Sequence, residues 1–333
     1  MLKHIAQAWW LRLRHGPMTF YYVPAPAKLS AIARDWIVML LCRPFFPRLV
    51  LHWHAYGLGE WVSAENSLDR KLTKSLLSGA DLAVVLNDYN RRDAQVFSPK
   101  TTKVVENGIE DLFPDYSGGL DEIRRKRLLL IKALSTGTSN AGDSPELVRF
   151  LFLGHLTETK GVLAAIRATV LANEKLREAS AAWRAHLTLA GSFVSAEEKK
   201  RIMDAVENAN GPAANVPAQV FISGFLNSEQ KKSALEGADC LIFPTFYENE
   251  AQPLVLLEAM SEGLPVITTS WRGVASVLPE ESRAVVEPNF PAALCAAMLG
   301  VSELVSGESL RKAFERGFTL PAFASRICDT IAS

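Results

Sequence analysis

The chain has 333 residues, 48% of them apolar, which is enough to bury two ordinary hydrophobic cores. Its 36 basic and 36 acidic residues cancel, so nothing global draws it to nucleic acid or to an acidic surface. The four cysteines, Cys42, Cys240, Cys295 and Cys328, are scattered and form no C-x-x-C pair; they suggest neither a disulfide framework nor a zinc site and fit a reducing compartment.

The first segment, MLKHIAQAWWLRLRHG, mixes Leu2, Ile5, Trp9 and Leu13 with Lys3, Arg12 and Arg14. It reads first as a helix packed on its own domain with its basic face solvated. The second reading is a basic amphipathic helix resting on a membrane surface. The longest nearby apolar run, Trp36 to Cys42, is too short to span a bilayer, and no signal-peptide pattern is read here. Strand patterns follow at TFYYVP (19–24), RLVLHWH (48–54), DLAVVLN (81–87) and TKVVEN (102–107). Helical patterns separate them at about 27–45, 65–79 and 88–97. The stretch 116–146 then carries SGG, a charged helical run and a polar tract, and reads as a linker or insertion.

From 147 onward the pattern is more regular. Strands are expected at LVRFLFLG (147–154), HLTLAG (186–191), AQVFISG (218–224), DCLIFP (239–244), LPVITT (264–269) and SRAVVEP (282–288). Near-continuous apolar strands alternating with helices predict parallel sheets covered on both faces. The fold class is therefore α/β, with two Rossmann-like doubly wound domains: 1–115, incomplete at its start, and 147–305. Residues 306–333 form closing helices. Ligands of such sheets bind beyond the carboxyl ends of the strands, and three segments there carry chemistry.

The richest is FPTFYENEAQPLVLLEAMSEGLPVITT (243–269). After an apolar strand and a polar loop, Pro253 suits the first turn of a helix, and Gly263 suits its left-handed cap. Glu250 precedes the helix, and Glu258 lies inside it, eight residues on. Pro253 and Glu258 are separated by roughly 7–8 Å of helix rise. Free N–H groups at the positive end of that helix would seat a diphosphate, with a sugar at Glu250 and a ribose at Glu258. An isolated pair of glutamates would read as solvated charge, but Glu258 sits among Val255, Leu256, Leu257, Ala259 and Met260, where a carboxylate needs a partner. The second segment is FLFLGHLTETKG (150–161), where His155 and Lys160 offer cations to a leaving diphosphate. The third is RLVLHWHAYGLGEW (48–61), with His54 at a strand end and His52 two residues earlier on the same face. For that pair a site and a simple one-buried, one-exposed arrangement are equally good readings.

Together these segments resemble the retaining glycosyltransferases of family 4, which have the GT-B fold. Glu250-x7-Glu258 with Ala259, Gly263, Pro265 and Val266 is similar to the family's E-x7-E pattern. Gly154, Leu156, Lys160 and Gly161 match its G-R-L-x-x-x-K-G, with His155 replacing arginine. Asn107, Gly108 and Ile109 resemble its N-G-I turn, HWHAYG its strand-end histidine motif, and SLRKAFERGFTLPAF (309–323) its closing helices, which cross back to the N-terminal domain.

The resemblance implies a nucleoside-diphosphate sugar as donor substrate, no cofactor, and a saccharide or lipid-linked acceptor. It casts Glu250, His54 and Lys160 as catalytic residues. Donor binding falls to His155, Lys160, Glu258, Gly154, Gln252, Pro253 and Leu254, with Gly224 and Phe225 at the base. No D-x-D motif occurs, so a metal-independent reaction is expected. Histidine for arginine at 155 predicts donor binding that weakens at higher pH, because histidine loses its charge near neutrality. The family domain usually opens with a strand and a glycine-rich loop, neither of which is seen, so a shortened N-terminal domain is expected. A cytoplasmic enzyme of polysaccharide biosynthesis, peripheral at the inner membrane face, follows by analogy, with no nucleic-acid partner. The alternative is a non-catalytic sugar-nucleotide-binding homologue or partner subunit. No G-x-G-x-x-G follows any strand, which disfavours a dehydrogenase.

Overall fold

The computed structural model describes residues 1–135, 145–211, 219–282, 284–304 and 307–333. The chain divides into two units. The first comprises Met1–Gly108, Glu248–Gln252 and Leu320–Ser333, and the second Ile109–Tyr247 and Pro253–Thr319.

Unit 1 holds α1 (Leu2–His15), β1 (Thr19–Tyr22), α2 (Leu29–Cys42), β2 (Arg48–Trp53), α3 (Leu58–Ala64), α4 (Leu68–Leu77), β3 (Leu82–Val85), α5 (Asp88–Gln95) and β4 (Thr102–Val104). The four strands are parallel and lie in chain order, β1-β2-β3-β4. Right-handed crossovers that all step one way put their helices on one face. The packing agrees. Leu49, Leu51, Trp53, Ala83 and Val85 share a core with Ile32 and Met39 of α2, Leu58 and Val62 of α3, Leu77 of α4 and Ala94 of α5. Strand residues of opposite parity, Val50, Leu82 and Val84, turn to the other face.

Unit 2 holds α6 (Gly119–Ser135), β5 (Glu146–Leu153), α7 (Val162–Glu178), β6 (Trp183–Ala190), α8 (Ala196–Asn210), β7 (Val220–Gly224), α9 (Ser228–Gly237), β8 (Cys240–Phe243), α10 (Leu254–Glu262), β9 (Val266–Thr269), β10 (Ala284–Val286), α11 (Pro291–Leu299) and α12 (Gly307–Gly317). Its sheet is parallel, in the order β10-β9-β8-β5-β6-β7. The chain moves outward from β5 to β7, then returns to place β8 on the other side of β5. β5 and β8 therefore flank a topological switch point. α7 packs with α8 and α11, and α10 with α9 and α12, so helices sandwich the sheet.

One expectation about organisation changes. Residues 116–135 are no linker: α6 puts Leu128 and Ile131 into the unit 2 core. Its buried Arg124 donates to Ala238 O (3.0 Å) and to Glu262 Oε2 (2.8 Å). A run that looked like surface charge is amphipathic, with one arginine turned inward. The polar tract 136–144 lies outside the described residues. The last helix, α13 (Leu320–Ala332), belongs to unit 1. There Phe323, Ile327 and Ile331, spaced by four, cover the second sheet face at Val50, Leu82, Val84 and Val105. Among the described residues no helix is long and apolar enough to cross a membrane. Cys42, Cys240 and Cys295 are buried and free, and Cys328 is exposed and free.

Candidate functional site

On the carboxyl side of β5 and β8, the unit 2 backbone is shaped by glycine. Gly161 has φ +85°, and a Cβ there would lie 2.2 Å from the Pro244 carbonyl oxygen. A Cβ on Gly191 would lie 1.7 Å from the Gly154 oxygen. No side chain fits at either place, so the turn 154–161 packs directly on the end of β8. Phe246 N donates to Thr159 O (2.8 Å), which ties the two loops together. The β8 loop is further pinned by Thr269 Oγ1 to Thr245 O (2.6 Å) and Trp271 Nε1 to Tyr247 O (2.9 Å).

Lys160 precedes α7 rather than opening it, because Gly161 is the helix cap. Its ammonium lies 5.0 Å from the Tyr247 ring centroid and 5.5 Å from that of Phe243. Two aromatic faces hold a half-buried cation by cation–π attraction, which a surface lysine would not receive. His155 is exposed on the same turn.

α10 starts at Leu254, one residue later than expected, with Pro253 as its cap residue and no side-chain cap bond. Gly263 ends it at φ +74°. Leu254 is exposed and Pro253 buried. The partner demanded by Glu258 is Lys231 of α9, 2.5 Å from Oε1, in a partly exposed pair. At the end of β7, Gly224 has φ +78°. The Phe225 ring after it is 76% exposed, a free aromatic face of the kind on which a base stacks.

The remaining candidates belong to unit 1. His52, fully buried, and the more exposed His54 end β2, with rings 4.1 Å apart. His54 Nε2 reaches His52 Nδ1 at 3.2 Å, and the Tyr21 hydroxyl also hydrogen-bonds to that nitrogen. Burial, then the neighbouring His54, pushes the His52 pKa down to about 3; burial also lowers that of His54. Both rings are therefore neutral near pH 7, and a neutral His54 is able to accept a proton.

The segment Glu248–Gln252 is clamped by side-chain and main-chain bonds inside unit 1. Asn87, the cap of α5, accepts from Asn90 N and donates through Nδ2 to Ala251 O (2.9 Å). Tyr56 N donates to Asn249 O (3.3 Å). Asn107 N donates to Gln252 Oε1 (2.8 Å). Gln252, expected at the donor, is 6% exposed, and its oxygen is spent on this clamp. Glu250 is buried in the same segment. Sequence reasoning missed Lys231, Phe243, Tyr247, Tyr21 and Asn87. Only Asn87 carried a local signal, the polar N-D-Y-N cap after an apolar strand.

With this geometry established, the likeness to known proteins is informative. Residues 148–303 match the family model of glycosyl transferases group 1. That segment covers the switch-point loops, Lys160 and Glu258. Among curated relatives, an uncharacterized glycosyltransferase of Methanocaldococcus jannaschii is 28% identical over 163 residues, 49% of this chain and 37% of the relative. The lipopolysaccharide glucosyltransferase WaaG of Escherichia coli is 35% identical over 121 residues, 36% of this chain and 28% of WaaG. The chain thus matches well under half the length of these relatives. In fold, it is similar to Anabaena HepE solved with UDP, with TM-score 0.68 and 15% identity over 98% of this chain and 81% of HepE. Two parallel-sheet α/β units of the GT-B type are the architecture, and the segment similar to the group 1 family model lies in the second.

Proposed function

We propose that this chain is a family 4 glycosyltransferase that moves a sugar from a nucleoside-diphosphate donor to a saccharide or lipid-linked acceptor. In this reading the anomeric configuration is retained and no metal ion takes part. The observation that carries it is the β5/β8 switch point, whose glycine-built loops hold Lys160 against two aromatic rings inside the group 1 segment. The uncapped N-terminus of α10 offers N–H groups to a diphosphate. Phe225 offers a stacking face to a base, and Glu258 an acceptor to ribose hydroxyls once Lys231 yields. The UDP in HepE makes a uridine donor the first to test.

The chemistry asked of these groups is electrostatic. As the bond from the anomeric carbon to the diphosphate oxygen breaks, negative charge grows on the leaving group, and Lys160, His155 and the α10 N–H groups stabilise it. The acceptor oxygen bonds to the anomeric carbon on the same face, and its proton passes to the departing phosphate oxygen. No protein nucleophile is required. Glu250 holds sugar hydroxyls near the reacting carbon, and His54 serves sugar and acceptor.

Calorimetric titration of the purified chain with UDP, GDP and ADP, without added metal, tests the donor half. One nucleotide is expected to bind, and Glu258→Ala to weaken it by about 1.5–3 kcal/mol, the worth of a charged hydrogen bond. A folded chain that binds none would favour a non-catalytic homologue. Unchanged affinity in Glu258→Ala would remove Glu258 from the site.

A further inference from the structure

α1 turns an unexpected side inward. At about 100° per residue, Ile5, Ala8 and Arg12 share one side, whereas Leu2, Ala6, Trp9, Trp10 and Leu13 form a wider apolar stripe beside it. Burial of apolar area alone would pack the wider stripe. The structure packs the narrow one. Ile5 is the only residue of α1 that is buried, while Leu2 is 68%, Trp10 54% and Leu13 86% exposed. The seat is fixed by polar bonds. Trp9 Nε1 donates to Leu41 O and Arg12 Nε to Phe45 O, both at 2.8 Å. The Trp9 ring meets that of the exposed Phe45 at 5.5 Å, which widens the patch. The helix thus packs on its own unit with Lys3 and Arg14 solvated, and it leaves an apolar stripe solvated beside them.

Charge lies alongside. The whole chain is balanced, yet its first acidic residue is Asp35, and Lys3, Arg12, Arg14, Lys28 and Arg34 precede it. Exposed Lys3 and Arg14 border the stripe, and the Arg14 guanidinium lies 4.9 Å over the Trp10 ring. An apolar, tryptophan-bearing stripe one helix wide with a cationic margin and no carboxylate suits a helix lying in a lipid interface. Its 14 residues reach roughly 21 Å, short of the ~30 Å hydrocarbon core, so it lies along the surface rather than across it.

We propose that α1 docks unit 1 on an anionic lipid surface, with Leu2, Trp10 and Leu13 in the acyl boundary and Lys3 and Arg14 at the headgroups. This is independent of the donor reading. The test is co-sedimentation of the full chain with phosphatidylcholine vesicles with or without phosphatidylglycerol, at low and high salt. Binding is expected to favour the anionic vesicles about tenfold or more, with each exposed basic residue contributing about fivefold, and to weaken in salt. Trp10→Glu with Leu13→Glu should abolish it. Lys3→Gln with Arg14→Gln should remove the anionic preference. Both should leave the melting temperature and nucleotide titration unchanged. The proposal fails if a folded chain ignores the anionic vesicles or binds both kinds equally. It fails too if the glutamate variant still binds, or if that variant instead abolishes a lipid-free dimer, which would assign the stripe to a second copy of the chain.

Discussion

The switch-point loops of unit 2 and the Glu248–Gln252 segment of unit 1 carry candidate chemistry by different means. The first are held by backbone against backbone, at glycines where no side chain fits. The second is held by side chains from distant strands and turns, Asn87, Gln252 and the main chain of Asn107 and Tyr56. A backbone contact fails abruptly when an atom is added, because packed main chain has nowhere to go. A side-chain clamp fails by degrees, one hydrogen bond at a time.

Gly161→Ala should break the first kind most. Its Cβ would overlap the Pro244 oxygen, and the positive φ adds strain. Together these should cost about 3 kcal/mol or more and weaken nucleotide binding in step. Gly118→Ala supplies the contrast: its φ is also positive, +75°, but no heavy atom lies within 4 Å of the added Cβ. It should cost about 1–2 kcal/mol and leave nucleotide binding alone. Thermal unfolding and calorimetry on both variants separate clash from strain; equal losses would mean the close approach at Gly161 is not what holds the loops.

Much of the fold was legible because the ten strands of the described residues are short apolar runs between helices, and periodicity sees those directly. α3 escaped notice because seven residues opening Leu58-Gly59 carry too little pattern. α6 was misjudged because a buried arginine looks in sequence like any surface charge. Within the candidate site, the reach of the signal was local. Gly154, Lys160, Gly161 and Gly263 belong to turns that the sequence spells out in order. Lys231 meets Glu258 at a sequence separation of 27, and Asn87 meets Ala251 at one of 164; no local pattern encodes such pairs. Gln252 illustrates the consequence, since a polar residue beside a helix start reads as ligand-facing until the turn that uses it is in view.

The paired histidines of unit 1 give the next largest effect, and it depends on pH. His52 has a folded pKa of about 3, against ~6.5 in an unfolded chain. Between these values the unfolded state binds more protons, so stability rises with pH. It is fully present above ~6.5 and is lost as pH falls toward 3, by about 1.4 kcal/mol per unit from this residue. The unfolding free energy of the chain minus that of His52→Phe, followed by denaturant from pH 7 to pH 5, should show this slope, since phenylalanine carries no proton. The buried carboxyls of Asp93 and Glu262, pushed up to about 6 and about 7, tilt the curves of both proteins the other way. A flat difference would mean that His52 is hydrated or paired in solution.

The smallest effect isolates a single strand of the side-chain clamp. Asn87→Asp keeps the oxygen that caps α5 through Asn90 N, and aspartate is as good a cap as asparagine. It removes the Nδ2 donor to Ala251 O and sets a carboxylate against that carbonyl. Global stability should fall by no more than about 1 kcal/mol, one net hydrogen bond. Amide exchange in the segment containing Glu250 should quicken about fivefold, the same energy expressed as local opening. Loops of unit 2 such as Gly154–Gly161 should exchange as before, because their hold is backbone packing that Asn87 does not touch. Exchange measured by mass spectrometry over peptides from both regions decides the matter: acceleration confined to the Glu250 segment marks Asn87 as its clamp, and unchanged exchange there assigns the hold to bonds other than that of Asn87.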